Sequence, residues 1–188
     1  MVKNTGPRPT VTVRDARQAD ARPIAELIKQ AKADAMPWLP VVHSLEEDVA
    51  WVSAVLLPEH RVRVAAVRSD HIVGVVAARP GWIDQLYVAT PHRRSGLGSL
   101  LLADALDEQR GAVRLWVFAR NAAARHFYES RGFHAVRTTD GHDNEEQEPD
   151  VLYVSTEPAM KKDELETREE RRARTRSSSD DARDRHAD

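Results

Sequence analysis

Cysteine is missing from all 188 residues, which excludes disulfides, thiolate zinc sites and a cysteine nucleophile, and fits a reducing cytoplasm. Long apolar runs are missing too. Nothing approaches the roughly 20 residues of a membrane span, and Met1-Val2-Lys3-Asn4-Thr5-Gly6-Pro7 lacks the apolar stretch of a signal peptide. We therefore expect a soluble, cytoplasmic protein with no membrane partner. Neither sign of charge dominates: 28 Lys plus Arg stand against 30 Asp plus Glu, a formal net charge of -2. No global field then favours nucleic acid, and any charge selectivity is local. With 41% hydrophobic residues, one domain of about 150 residues can bury a core, and no second domain is expected.

What is present is a strand, a basic glycine loop and a helix start, in Ile83-Asp84-Gln85-Leu86-Tyr87-Val88 followed by Arg93-Arg94-Ser95-Gly96-Leu97-Gly98-Ser99. A helix N-terminus presents amides without internal partners and a positive dipole end. Gly96 and Gly98 let the backbone approach a phosphate, and Arg93 and Arg94 add attraction, so the expected ligand is a phosphorylated cofactor. The dinucleotide fingerprint fails because Leu101 stands where its third glycine belongs. A Walker loop fails because no glycine here precedes Lys and Ser or Thr.

Arg93-x-x-Gly96-x-Gly98 resembles the Arg/Gln-x-x-Gly-x-Gly/Ala signature of the GNAT superfamily of N-acetyltransferases. Downstream, Leu115-Trp116-Val117-Phe118 reads as a strand, and Asn121 to Phe133 reads as a capped helix closed by Gly132. That segment is similar to the second GNAT signature through Asn121, Ala124, Phe127, Tyr128, Gly132 and Phe133. The resemblance implies acetyl-coenzyme A (acetyl-CoA) as acetyl donor, bound by its pyrophosphate at the loop amides of Ser95, Gly96, Leu97, Gly98 and Ser99 with Arg93 and Arg94.

Hydrophobic periodicity extends this pattern along the chain. Residues 10–14 alternate as a strand, Asp20 can cap a helix carrying Ile24, Leu27, Ile28 and Ala31, and Pro37 ends it. Ser44 and Glu47 form a capping box for a second helix with Val49, Val52 and Leu56 on one side, ended by Pro58. Residues 61–67 and 71–77 make a hairpin about Arg68-Ser69-Asp70, and the last strands lie at 134–138 and 151–155. The order β-α-α-β-β-β-α-β-α-β-β is that of the GNAT fold. It implies an α/β protein of the α+β kind, a mixed sheet with two splayed parallel strands and flanking helices. Residues 1–9 read as a flexible lead, 10–157 as the acetyltransferase domain and 158–188 as a charged tail, disordered or a frayed helix. Basic and acidic side chains balance in that tail, which argues against a nucleic-acid partner.

The resemblance also suggests roles. Leu86, Tyr87 and Val88 lie where relatives use exposed amides on the pantetheine arm and thioester oxygen, with oxyanion-like effect. Tyr128 is the candidate acid for the departing thiolate, since a phenol stays protonated at neutral pH; a core-edge tyrosine bonded to backbone is the plainer reading. Asp84, placed by alternation on the face of Leu86 and Val88, is the candidate base, with His43 and His134 behind it. Asn121 is a helix cap and, as in relatives, a coenzyme contact. The acceptor enters between residues 36–43 and the acidic hairpin 139–150, which suits a cationic amine on a small molecule or a peptide, although charged hairpin tips are usually just solvated. Trp38 and Trp82 are candidate walls of an apolar pocket, with core packing as the simpler role. No metal is implied, and a homodimer is compatible with this fold but has no interface signal. A non-catalytic acyl-CoA-binding sensor or interaction module is the alternative function.

Overall fold

Seven strands and their flanking helices account for residues 10–155, which are the residues described by the computed structural model. The expectations for 1–9 and 158–188 fall outside them. Strand β1 (Thr12–Asp15) leads through a short turn to α1 (Ala21–Ala35). A continuous helical run follows: α2 (Leu45–Trp51), a π-helical stretch (Val52–Leu56) and the single turn α3 (Leu57–Glu59). Pro58 explains the widening, because its ring crowds the preceding turn and it has no N–H to donate. At the other end, Ser44 Oγ accepts from the Glu47 amide at 3.3 Å and the Glu47 carboxylate accepts from the Ser44 amide at 2.8 Å.

Strands β2 (Arg61–Val67), β3 (His71–Arg79) and β4 (Trp82–Val88) form an antiparallel meander. The tight connection has Ser69 at φ 58° and Asp70 at φ 63°, a pair of left-handed residues held by Arg14, which donates to the Asp70 carboxylate at 2.9 Å. Helix α4 (Leu97–Asp107), β5 (Arg114–Phe118), α5 (Ala122–Glu129), β6 (Phe133–Thr138) and β7 (Asp150–Ser155) complete the chain. The sheet order is β1, β2, β3, β4, β5, β7, β6, and β4 with β5 is its parallel pair.

Central β3 is buried from Ile72 to Ala78, as a strand covered on both faces should be. One cluster joins Ile24 and Ile28 of α1 to Leu56, Val64 and Val75, and the other joins Leu101 and Leu102 of α4 to Leu115, Val151 and Tyr153. Each fully buried leucine contributes about 2 kcal/mol of burial, so the two helical layers are fixed mainly by these contacts. Tyr153 adds a polar tie, donating to Glu129 at 2.6 Å and accepting from Arg125 at 3.0 Å, which docks α5 on the sheet.

Candidate active site

Strands β4 and β5 are paired in register only at Trp82 and Arg114, at one end, and diverge beyond it. The gap decides which groups are available. Ala89 donates to Val73 of β3 at 2.9 Å, so by alternation Tyr87 also directs its backbone to β3, while the amides of Leu86 and Val88 face the gap. The Leu86 and Val88 side chains pack into the α4 cluster, and the Tyr87 side chain packs toward the α1 layer. Tyr87 thus reaches the site by its ring, not its N–H. A cavity of about 510 Å³ occupies the gap, bounded by β4, β5, α5, the end of α1 and the β6–β7 loop.

Gly96 caps α4 with φ 92°, a left-handed conformation that suits glycine. The helix ladder begins with Leu100 N donating to Gly96 O at 3.0 Å, which leaves the amides of Leu97, Gly98 and Ser99 without a helical acceptor. A Cβ on Gly98 would stand 3.4 Å from the Phe127 ring, an ordinary van der Waals contact, so the packing of α4 on α5 does not by itself demand glycine there. These amides make a cradle that fits a phosphate group. The two arginines differ. Arg93 donates to Val88 O at 3.1 Å and Ala31 O at 3.0 Å, tying β4 to α1, whereas Arg94 is exposed at φ 56°. Ser95 Oγ donates to His92 O at 2.6 Å, and Ser99 Oγ accepts from Arg131 at 2.6 Å.

Tyr128 lies at the inner wall of the cavity. Its ring stands edge-on to Phe127 and Phe133, with centroids 5.1 and 5.5 Å away. Its hydroxyl makes no hydrogen bond among the described residues, in contrast to Tyr153. Burial, followed by the nearby Tyr87, pushes its phenol well above the ordinary tyrosine value, so it holds its proton. Asn121 Oδ1 accepts from the Ala124 amide at 3.1 Å, capping α5, and its Nδ2 donates to Met36 Sδ at 3.4 Å across the cavity.

Asp84 is where simple alternation fails. Ala77 pairs with Gln85 and Ala78 with Ile83, so Asp84 is the extra residue of a β-bulge, and Ile83 and Leu86 share the α4-facing cluster despite their odd spacing. Asp84 lines the cavity, but Arg79 Nη2 donates to its Oδ1 at 3.0 Å, and Arg79 Nε and His60 Nε2 lie 2.9 and 3.2 Å from its Oδ2. His43 and His134 do not line the cavity: His43 contacts Glu145 at 2.8 Å, and His134 is exposed on β6. Neither Trp38 nor Trp82 walls it. Arg120 stacks on Trp38 at 4.3 Å, and Arg79 and Arg114 lie over Trp82 at 5.2 and 5.9 Å.

One wall residue, Lys32, went unsuspected in the sequence, while Met36 and Glu146 come from the two segments expected to admit the acceptor. Lys32 donates to Glu146 at 3.2 Å, across 114 positions of chain. Burial works against its ammonium, but Tyr87, Glu146 and Asp48 outweigh that and raise its pKa. Among the described residues, no group of three or more histidines and carboxylates could hold a metal ion, and no helix is long and apolar enough to cross a membrane.

The geometry agrees with known proteins. The profile of the acetyltransferase (GNAT) family matches residues 25–133, more than half of the chain. A Mycobacterium tuberculosis (strain ATCC 25618 / H37Rv) protein named "Probable N-acetyltransferase Rv2775" is 45% identical over 53 residues, which are 28% of this chain and 30% of that protein. YjaB from Escherichia coli, solved in its apo form, superposes with a TM-score of 0.66 at 20% identity, covering 79% of this chain and 99% of that one. The PaiA N-acetyltransferase from Thermoplasma acidophilum, solved in complex with coenzyme A, gives a TM-score of 0.58 at 16% identity, covering 78% and 99%. At these identities the two structures speak for the mixed α/β fold. The family match over residues 25–133 establishes that the chain belongs to the acetyltransferase (GNAT) family.

Proposed function

We propose that the protein transfers the acetyl group of acetyl-CoA to a primary amine, of a small molecule or of a protein lysine or N-terminus, by direct attack with both substrates bound. The observation that carries this reading is a single continuous gap, with open amides on β4 at one wall and the unbonded Tyr128 hydroxyl at another. Acetyl-CoA supplies an activated thioester. The amides of Ser95 to Ser99 hold its pyrophosphate, Arg94 adds long-range attraction, and Arg93 keeps the loop's base on α1. Leu86 and Val88 N–H groups polarise the carbonyl, Asn121 braces the cavity wall, and Tyr128 protonates the leaving thiolate. Asp84, oriented by Arg79, receives the amine's proton directly or through water.

One observation favours the second reading, an acyl-CoA-binding sensor without turnover: the Asp84 carboxylate is already engaged by Arg79 and His60. Both readings meet in one experiment, unfolding with acetyl-CoA, coenzyme A or adenosine diphosphate present, followed by an amine turnover screen. A ligand at about 100 times its Kd adds roughly 2.7 kcal/mol of stability. Stabilisation with turnover supports the transferase, and stabilisation without any turnover supports the sensor. Absence of stabilisation by all three ligands would sink both.

A further inference from the structure

A second cavity, of about 360 Å³, lies beside the first, and both are lined by Lys32, Met36 and Glu146. Those three side chains therefore form the partition between them. The outer chamber has an apolar wall of Ile28, Leu39, Pro40, Val41 and Val42. Val41 is 77% exposed and Val42 45%, so this loop presents apolar surface that packing within the described residues does not use.

The rim is charged but balanced: Lys29 pairs with Asp48 at 2.9 Å, His43 with Glu145 at 2.8 Å and Lys32 with Glu146 at 3.2 Å. A cation entering from outside gains only by displacing one of these partners. Glu146 is the most enclosed of the three carboxylates, 15% exposed against 28% for Asp48 and 71% for Glu145. Lys32 holds it by one hydrogen bond, using one of the three donors an ammonium offers. Partition side chains as flexible as lysine and methionine can swing aside without moving the backbone.

We infer that the two cavities are one divided acceptor site for an amine with an apolar body. The body fills the outer chamber, and the ammonium replaces Lys32 on Glu146, which places the amine at the inner cavity. This specificity role for Glu146 rests on the transferase reading for its purpose, though not for its detection. A neutral alcohol of the same shape cannot make the exchange, and methylamine lacks the body that the apolar wall receives.

Calorimetric titration tests this on the full chain, with coenzyme A titrated first and then methylamine, 2-phenylethylamine or 2-phenylethanol. We expect 2-phenylethylamine to bind at least tenfold more tightly than either of the others. Glu146→Gln should erase the preference for amine over alcohol. Lys32→Met should tighten 2-phenylethylamine binding severalfold, because it leaves Glu146 without a cation until the ligand supplies one, and a gain is not produced by misfolding. Equal binding of amine and alcohol, indifference to Glu146→Gln, or weaker amine binding by a folded Lys32→Met variant overturns the proposal. The coenzyme A step reports separately on the cofactor reading, whose failure would leave the amine result intact.

Discussion

Two buried tyrosines separate chemistry from structure at single-residue scale. Tyr153 is fully buried and its hydroxyl is bonded to Glu129 and Arg125. Tyr128 is nearly as buried and faces the cavity, and its hydroxyl makes no hydrogen bond among the described residues. Removing the Tyr153 hydroxyl should cost about 1–3 kcal/mol of stability, as for a lost buried hydrogen bond, and spare turnover. Tyr128→Phe should do the reverse: unchanged stability and coenzyme affinity, with kcat lower by roughly a hundredfold, the scale of general acid catalysis. Urea titration and steady-state kinetics on both variants check the pair, and wild-type kcat in Tyr128→Phe would remove the acid role. Asp84→Asn is read beside them: an unchanged pH–rate profile would move the base elsewhere.

The acidic loop between β6 and β7 is the element that the sequence left most open, and it is not a loose tip. Gly141 has φ 85°, and a Cβ there would stand 2.3 Å from the Glu148 carbonyl carbon. Asn144 bonds to Glu148 through both ends of its amide, at 2.8 and 3.1 Å. Gly141→Ala should therefore strain the loop by about 1–3 kcal/mol and displace Glu145 and Glu146 from α1 and His43. We expect a raised KM for the acceptor with an unchanged Kd for acetyl-CoA; a change in the latter alone would show that the loop serves the coenzyme instead. The other elements were legible because their signals are local: β-rich runs about a short turn in β2 and β3, the Ser44 and Glu47 box, Asn121 as a cap, glycines at the α4 start. What was not legible depends on neighbours. The bulge at Asp84 is set by the pairing of β3 with β4, Arg93 is drawn to carbonyls on two elements, and Lys32 meets Glu146 only after the sheet has formed. No periodicity within one segment encodes such contacts.

Across the whole molecule, a net charge near zero conceals a directional dependence on pH. Arg14 clamps Asp20 at 2.7 Å and Asp70 at 2.9 Å, and Asp20 is only 8% exposed. Arg14 foremost holds the Asp20 carboxyl below its ordinary value, and the same direction applies to Asp70 through Arg14, Asp15 through Arg63, Asp34 through Thr90 and Glu47 through the Ser44 amide. A carboxylate with a depressed folded pKa contributes stability that is complete above its unfolded value, near 3.9 for aspartate, and is lost as pH falls through the folded one. His43 has the opposite sign. Glu145 raises its pKa, so its contribution is present below the ordinary histidine value of about 6.5 and fades as pH rises through the raised one, and at this exposed site it is screened by solvent. Stability should accordingly be nearly flat from about pH 6 to 8, with a slight decline toward the alkaline side, and fall steeply below about pH 4. Asp20→Asn should cost roughly 3 kcal/mol at neutral pH, because Arg14 loses a buried partner, and should flatten the acid limb. Urea unfolding of wild type and variant at matched ionic strength between these limits measures both effects. If the variant kept the full acid slope, the pH dependence would have to be reassigned to the exposed carboxylates, and the Arg14 clamp would be a packing device rather than an electrostatic one.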